Sequence, residues 1–117
     1  MGNSLGTAVA GYVAKHRNAS SLLLMCPIHS VKKIAIERYF ALSAAIKHSF
    51  QLYETAKDIK ADTLVIVAGN DAIVPNSHSE ITFSNLHCKK AYISIAVHSH
   101  NGIFQSQKTI KLINNFI

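Results

Sequence analysis

Gly2-Asn3-Ser4-Leu5-Gly6 is a G-x-S-x-G pentapeptide that runs straight into the helix-like stretch Thr7–His16. It is the sequence form of a sharp strand-to-helix turn that presents a serine. Glycines are expected there because such a turn is crowded and strained. A Cβ is excluded where the helix backbone nears the strand, and φ can leave its usual wells. A serine hydroxyl is a weak nucleophile unless a base takes its proton. Two residues farther along fit that need in the required order. Asp71 follows the apolar run Thr63–Ala68 through Gly69-Asn70, and His100 follows the run Ala91–Val97. Each has a plainer reading. Ser4 suits a helix N-cap, Asp71 a turn, and His100 an exposed loop. His98 is a rival base two residues before His100.

These residues must be carried by strands. Ser21–Cys26, Thr63–Ala68 and Ala91–Val97 are short apolar runs of the kind buried on both faces of a parallel sheet. Pro27 stops the first. Between them lie helical patterns: residues 5–16 with Ala8, Tyr12 and Val13 inward, and residues 76–86 capped by Asn76 or Ser77. A closing helix over 103–116 turns Ile103, Ile110, Leu112 and Ile113 to the core. Residues 31–55 read as two amphipathic helical pieces, Ile34, Ile36, Tyr39 and Phe40, then Ile46, Phe50 and Tyr53. Alternating helices and strands predict an α/β class with parallel pairing and right-handed crossovers.

The chain resembles the C-terminal half of an α/β-hydrolase, in the branch of depalmitoylating thioesterases and serine-aminopeptidase-like enzymes. Gly2-Asn3-Ser4-Leu5-Gly6-Thr7 is similar to that branch's elbow, and Cys26-Pro27-Ile28-His29-Ser30 to its Ser-Pro-x-x-Ser segment. Gly69-Asn70-Asp71-Ala72-Ile73-Val74-Pro75 resembles its acid loop, and His100-Asn101 its His-Asn pair. Val97, His98 and Ser99 stand where the family has glycines before the histidine. The resemblance implies one partial hydrolase domain over 1–117, its mostly parallel sheet built from the family's last three strands with flanking helices. Within it fall the elbow at 2–6, a cap over about 31–55, the acid loop at 69–75 and the histidine loop at 98–102. The family's first five strands are absent from the 117 residues, so Ser21–Cys26 is expected to be an unpaired apolar edge. Such a fragment should aggregate, or be completed by another polypeptide.

Composition narrows the rest. Apolar residues make up 49% of the chain and can fill a core, while charged residues are only 15%. The apolar runs are far shorter than the roughly 20 residues that span a bilayer. Met1-Gly2-Asn3-Ser4 has no basic or apolar signal region, and glycine at position 6 fails the myristoylation pattern. A cytoplasmic setting is expected. The net charge of +6 is spread over single and paired lysines and arginines without interleaved aromatics, which speaks against nucleic acid. It suits solvated faces and is compatible with peripheral contact to anionic membranes. Cys26 and Cys88 are expected to be free thiols. His98 and His100 would share a face in an extended stretch, but no third ligand lies at metal spacing, so neither metal nor cofactor is expected. His16, His29, His48, His78 and His87 read as surface or satisfied residues.

The function implied by the resemblance is acyl transfer from an ester or thioester through a Ser4-Asp71-His100 triad. His100 deprotonates Ser4, Ser4 attacks the carbonyl, and water later frees the acyl group. The backbone N–H of Leu5 would supply one oxyanion donor. The substrate would be a small molecule or an acylated protein. The alternative class is an inactive remnant whose role is association, with a complementing half or with itself.

Overall fold

The computed structural model describes residues 1–38, 47, 50–96 and 99–117. Four strands form one all-parallel sheet in the order β1-β2-β3-β4: Gly2–Asn3, Ser21–Met25, Asp62–Ala68 and Lys90–Ile95. The helices are α1 (Gly6–His16), α2 (Val31–Arg38), α3 (Leu52–Ala56), α4 (Asn76–Asn85) and α5 (Gln107–Phe116), with a 3-10 turn at Gly102–Phe104.

The continuous apolar runs of β2 and β3 are buried on both faces, as parallel central strands must be. Their alternation splits the core in two. Leu22, Leu24, Val65 and Val67 pack with Ala14, Ala56, Ile59 and Leu86 on the face covered by α1, α3 and α4. Leu23, Met25, Leu64, Ile66 and Ala68 pack with Ile103, Leu112, Ile113 and Phe116 on the other. Two helical layers thus sandwich the sheet.

Several expectations are corrected. The edge of β2 is not wholly unpaired, because Gly2 and Asn3 pair with Leu24 and Met25. Among the described residues, Ser21–Leu23 of β2 have no strand partner on that side. On α1 the buried residues are Thr7, Ala8, Gly11 and Ala14, while Tyr12 and Val13 are exposed. Small residues are needed on this face because neighbouring elements come close: a Cβ on Gly11 would run into the Leu52 side chain of α3. α4 starts after Pro75, whose fixed φ suits a helix start, and neither Asn76 nor Ser77 occupies the cap. The closing helix is broken at Ser106, which is extended, and Ile110 faces outward. Of the residues assigned to the cap, Ile36 and Phe50 are exposed and Tyr53 is half-buried. Tyr39, Phe40, Ile46, His48, Val97 and His98 lie outside the described residues.

Candidate functional site

Because all four strands run the same way, their carboxyl ends share one edge of the sheet. Ser4 leaves β1 there, Cys26 leaves β2, and Gly69-Asn70-Asp71 leaves β3. Loops outside the carboxyl ends are where parallel α/β sheets place ligands.

Ser4 has φ +48°, a left-handed conformation rare for a residue with a side chain. Its N–H donates to the Met25 carbonyl at 2.9 Å, which fixes the turn against β2. Its own carbonyl accepts the Thr7 N–H at 3.1 Å and also the Thr7 hydroxyl. Thr7 is fully buried, and its oxygen also accepts the Ile28 N–H at 3.4 Å. This threonine therefore ties the serine turn to the loop after β2. The sequence included Thr7 in the elbow-like segment but gave it no role of its own.

The two motif glycines differ. A Cβ on Gly2 would lie 2.7 Å from the Ala10 Cβ and the Gly6 carbonyl, so strand and helix can approach only over a glycine. Gly6 has open space around it, and no glycine has a positive φ. The strain expected of the glycines falls on Ser4 itself. Leu5 is the N-cap residue of α1, with its side chain largely in solvent.

Asp71 and His100, 29 residues apart, meet directly. His100 Nδ1 lies 2.6 Å from Asp71 Oδ2, and their side chains are 6% and 1% exposed. The other carboxylate oxygen, Oδ1, accepts the Ile73 and Val74 N–H groups at 2.8 Å each. Burial opposes the charge on Asp71. The bonds from Val74, His100 and Ile73 outweigh it and hold the carboxyl below its ordinary range. An ionised carboxylate can only accept, so Nδ1 carries the proton of a neutral His100 ring and Nε2 keeps the lone pair. That tautomer can act as a base through Nε2.

Cys26 stands beside this pair. It too has a left-handed backbone, φ +46°, and its N–H donates to the Ile66 carbonyl at 2.9 Å. Burial, above all, pushes its thiol up to about 12; the nearby Asp71 charge adds to this against a lowering bond from the Ala68 backbone. Cys26, Asp71 and His100 each offer a ligand atom within 4.8 Å of the others. Both cysteines are free thiols.

His29 and His78 are not surface residues. His78 is 1% exposed, and its Nε2 lies 2.9 Å from Glu37 Oε2 on α2. The His29 ring lies against it, tilted by 41° with ring centroids 4.2 Å apart. The Nδ1 atoms of both rings are buried and find no hydrogen-bond partner among the described residues. His16 and His87 are exposed.

No family model matches the chain. It is 30% identical over 102 residues to the uncharacterized protein Rv2307c of Mycobacterium tuberculosis, a match covering 86% of this chain and 36% of that protein. The chain thus spans about a third of the length of the curated relatives it matches. Its fold is similar to acetyl xylan esterase 1 from Thermoanaerobacterium sp., with TM-score 0.78 and 21% identity over 99% of this chain and 43% of that one. An acetyl xylan esterase from Paenibacillus sp. gives 0.75 at 18% identity, over 100% and 44%. Pyrococcus horikoshii acylaminoacyl peptidase gives 0.71 at 13%, over 97% and 22%. The four-stranded parallel sheet with its flanking helices is thus an α/β fold that matches part of the larger α/β-hydrolase structures.

Proposed function

We propose that this chain is the C-terminal part of a serine hydrolase that cleaves ester or thioester bonds. Ser4 is the nucleophile, His100 the base and Asp71 the residue that orients the imidazole. The observation that carries this reading is the buried His100–Asp71 bond at 2.6 Å, on the sheet edge where Ser4 sits in a left-handed turn. Asp71 fixes the tautomer that leaves Nε2 free to take the serine proton. The imidazolium formed is then stabilised by the same carboxylate. Ser4 attacks the acyl carbonyl, the alcohol or thiol leaves with the proton from His100, and water reverses the sequence to free the acid. The Leu5 N–H is one donor to the oxyanion. The other comes from the part of the fold that the longer relatives have and this chain does not span, as do the walls that select the acyl group.

The same chain invites a second reading, as an associating fragment. Met1, Leu5, Val9 and Val13 are exposed large apolar residues around β1 and α1, next to a strand of only two residues.

Fluorophosphonate labelling separates the two. The 117-residue chain should label no more than its Ser4→Ala variant, and should self-associate. Fused behind the N-terminal part of a hydrolase relative, it should label at Ser4, and Ser4→Ala should abolish labelling and ester turnover. Labelling that persists in the alanine fusion, or fails in the folded wild-type fusion, overturns the hydrolase reading.

A further inference from the structure

We propose that Cys26, Asp71 and His100 form a latent site for a thiophilic divalent cation of the zinc class, and that its occupation disables the histidine as a base. The three donors, a thiol sulfur, a carboxylate oxygen and an imidazole nitrogen, are each donor types that bind zinc, and the sulfur selects for a thiophilic ion. They come from the ends of β2, β3 and β4, so they converge only in the folded chain. All lie within 4.8 Å of one another. Zinc with bonds of about 2.0–2.3 Å in a tetrahedral arrangement needs ligand atoms roughly 3.3–3.7 Å apart. The 2.6 Å Nδ1–Oδ2 pair must therefore open by up to about 1 Å, on the order of a side-chain shift, to admit the ion between these atoms.

The consequence follows from the tautomer. Nδ1 is the nitrogen that faces Asp71, and its proton is what the carboxylate holds. A cation entering between Cys26 and Asp71 takes the Nδ1 lone pair, which requires that proton to move to Nε2. Cys26 binds as the thiolate, releasing its proton to solvent. His100 then offers N–H at Nε2, where a base needs a lone pair. The ion also takes from the imidazole its orienting hydrogen bond to Asp71. Cys26 thereby acquires a role that the hydrolase chemistry does not give it. The cation site uses the residues of the proposed triad, but it exists whether or not Ser4 reacts.

Cobalt titration of the 117-residue chain tests the site without any turnover. One equivalent of Co²⁺ should produce a near-ultraviolet thiolate-to-cobalt band, and Zn²⁺ should displace it. The band should persist in Cys88→Ala and vanish in Cys26→Ala, in Cys26→Ser and in His100→Ala, with circular dichroism checking that each variant folds. No band in the wild type, or a band lost with Cys88 and kept in folded Cys26→Ser, overturns the proposal. In a fusion with Ser4-dependent turnover, Zn²⁺ should inhibit and a chelator restore activity. A fusion without turnover that still gives the band would count against the hydrolase reading alone.

Discussion

At one side of the sheet β3 and β4 pair over six positions, from Thr63 with Lys90 to Ala68 with Ile95. At the other side β1 and β2 pair over two. The first region ends in a corner where both oxygens of Asp71 are hydrogen-bonded and the imidazole is buried. The second ends in a strained serine on a short strand, beside a helix with apolar residues in solvent. Asp71 and His100 are thus held by an extensively paired part of the fold and Ser4 by a sparsely paired part. For the proposed triad this makes the geometry secure at two members and weak at the third.

Core truncation should expose that difference most strongly. Ile66→Ala, in the centre of β3 and fully buried, should cost about 2–5 kcal/mol in urea unfolding. An exposed apolar residue of the other region, Val9→Ala, should cost little. Equal losses would mean that the α1 face is covered in solution, which analytical ultracentrifugation would reveal.

The charge on Asp71 offers a second contrast. Its folded pKa is depressed, so its contribution to stability is present above the unfolded value of about 3.9 and is lost as pH falls through the folded value. The urea midpoint of the wild type should therefore drop as pH is lowered past the unfolded value and through the depressed folded one. Asp71→Asn should flatten part of that fall. An unchanged slope would show that the corner is open in solution.

Smaller effects should sort the serine turn. Ser4→Gly should stabilise the chain by up to about 1 kcal/mol, because a left-handed residue without Cβ carries less strain, while Ser4→Ala should not. Gly2→Ala should destabilise through its clash with Ala10 and the Gly6 carbonyl, whereas Gly6→Ala should be tolerated. Thermal melts of the four variants measure this directly. If Gly6→Ala were as harmful as Gly2→Ala, the turn would be tighter than described. The least effect is expected from Lys15→Ala. It removes the 2.6 Å pair with Asp58, which lies largely in solvent, and should leave the urea midpoint unchanged.

The sequence by itself determined the α/β class and most element positions. Runs such as Leu22–Met25 and Leu64–Ala68 are too apolar and too short for anything but buried strands, and the segments between them have helical length. It also marked Ser4, Asp71 and His100 as an ordered set, the first by its G-x-S-x-G motif and the other two because each follows an apolar run. Orientation was not legible. Which face of α1 turns inward depends on how closely its neighbours pack, Leu52 of α3 against Gly11 among them, and there Thr7, Ala8, Gly11 and Ala14 won over Tyr12 and Val13. The burial of His29 and His78 arises from the meeting of α2, α4 and the loop after β2, which no local pattern encodes. Only tertiary structure decided that His100 Nδ1 meets Asp71, and that Cys26 joins them. Those contacts span 29 to 74 residues. They exist because parallel pairing brings the ends of separate strands to one edge, and spacing along the chain carries no trace of that.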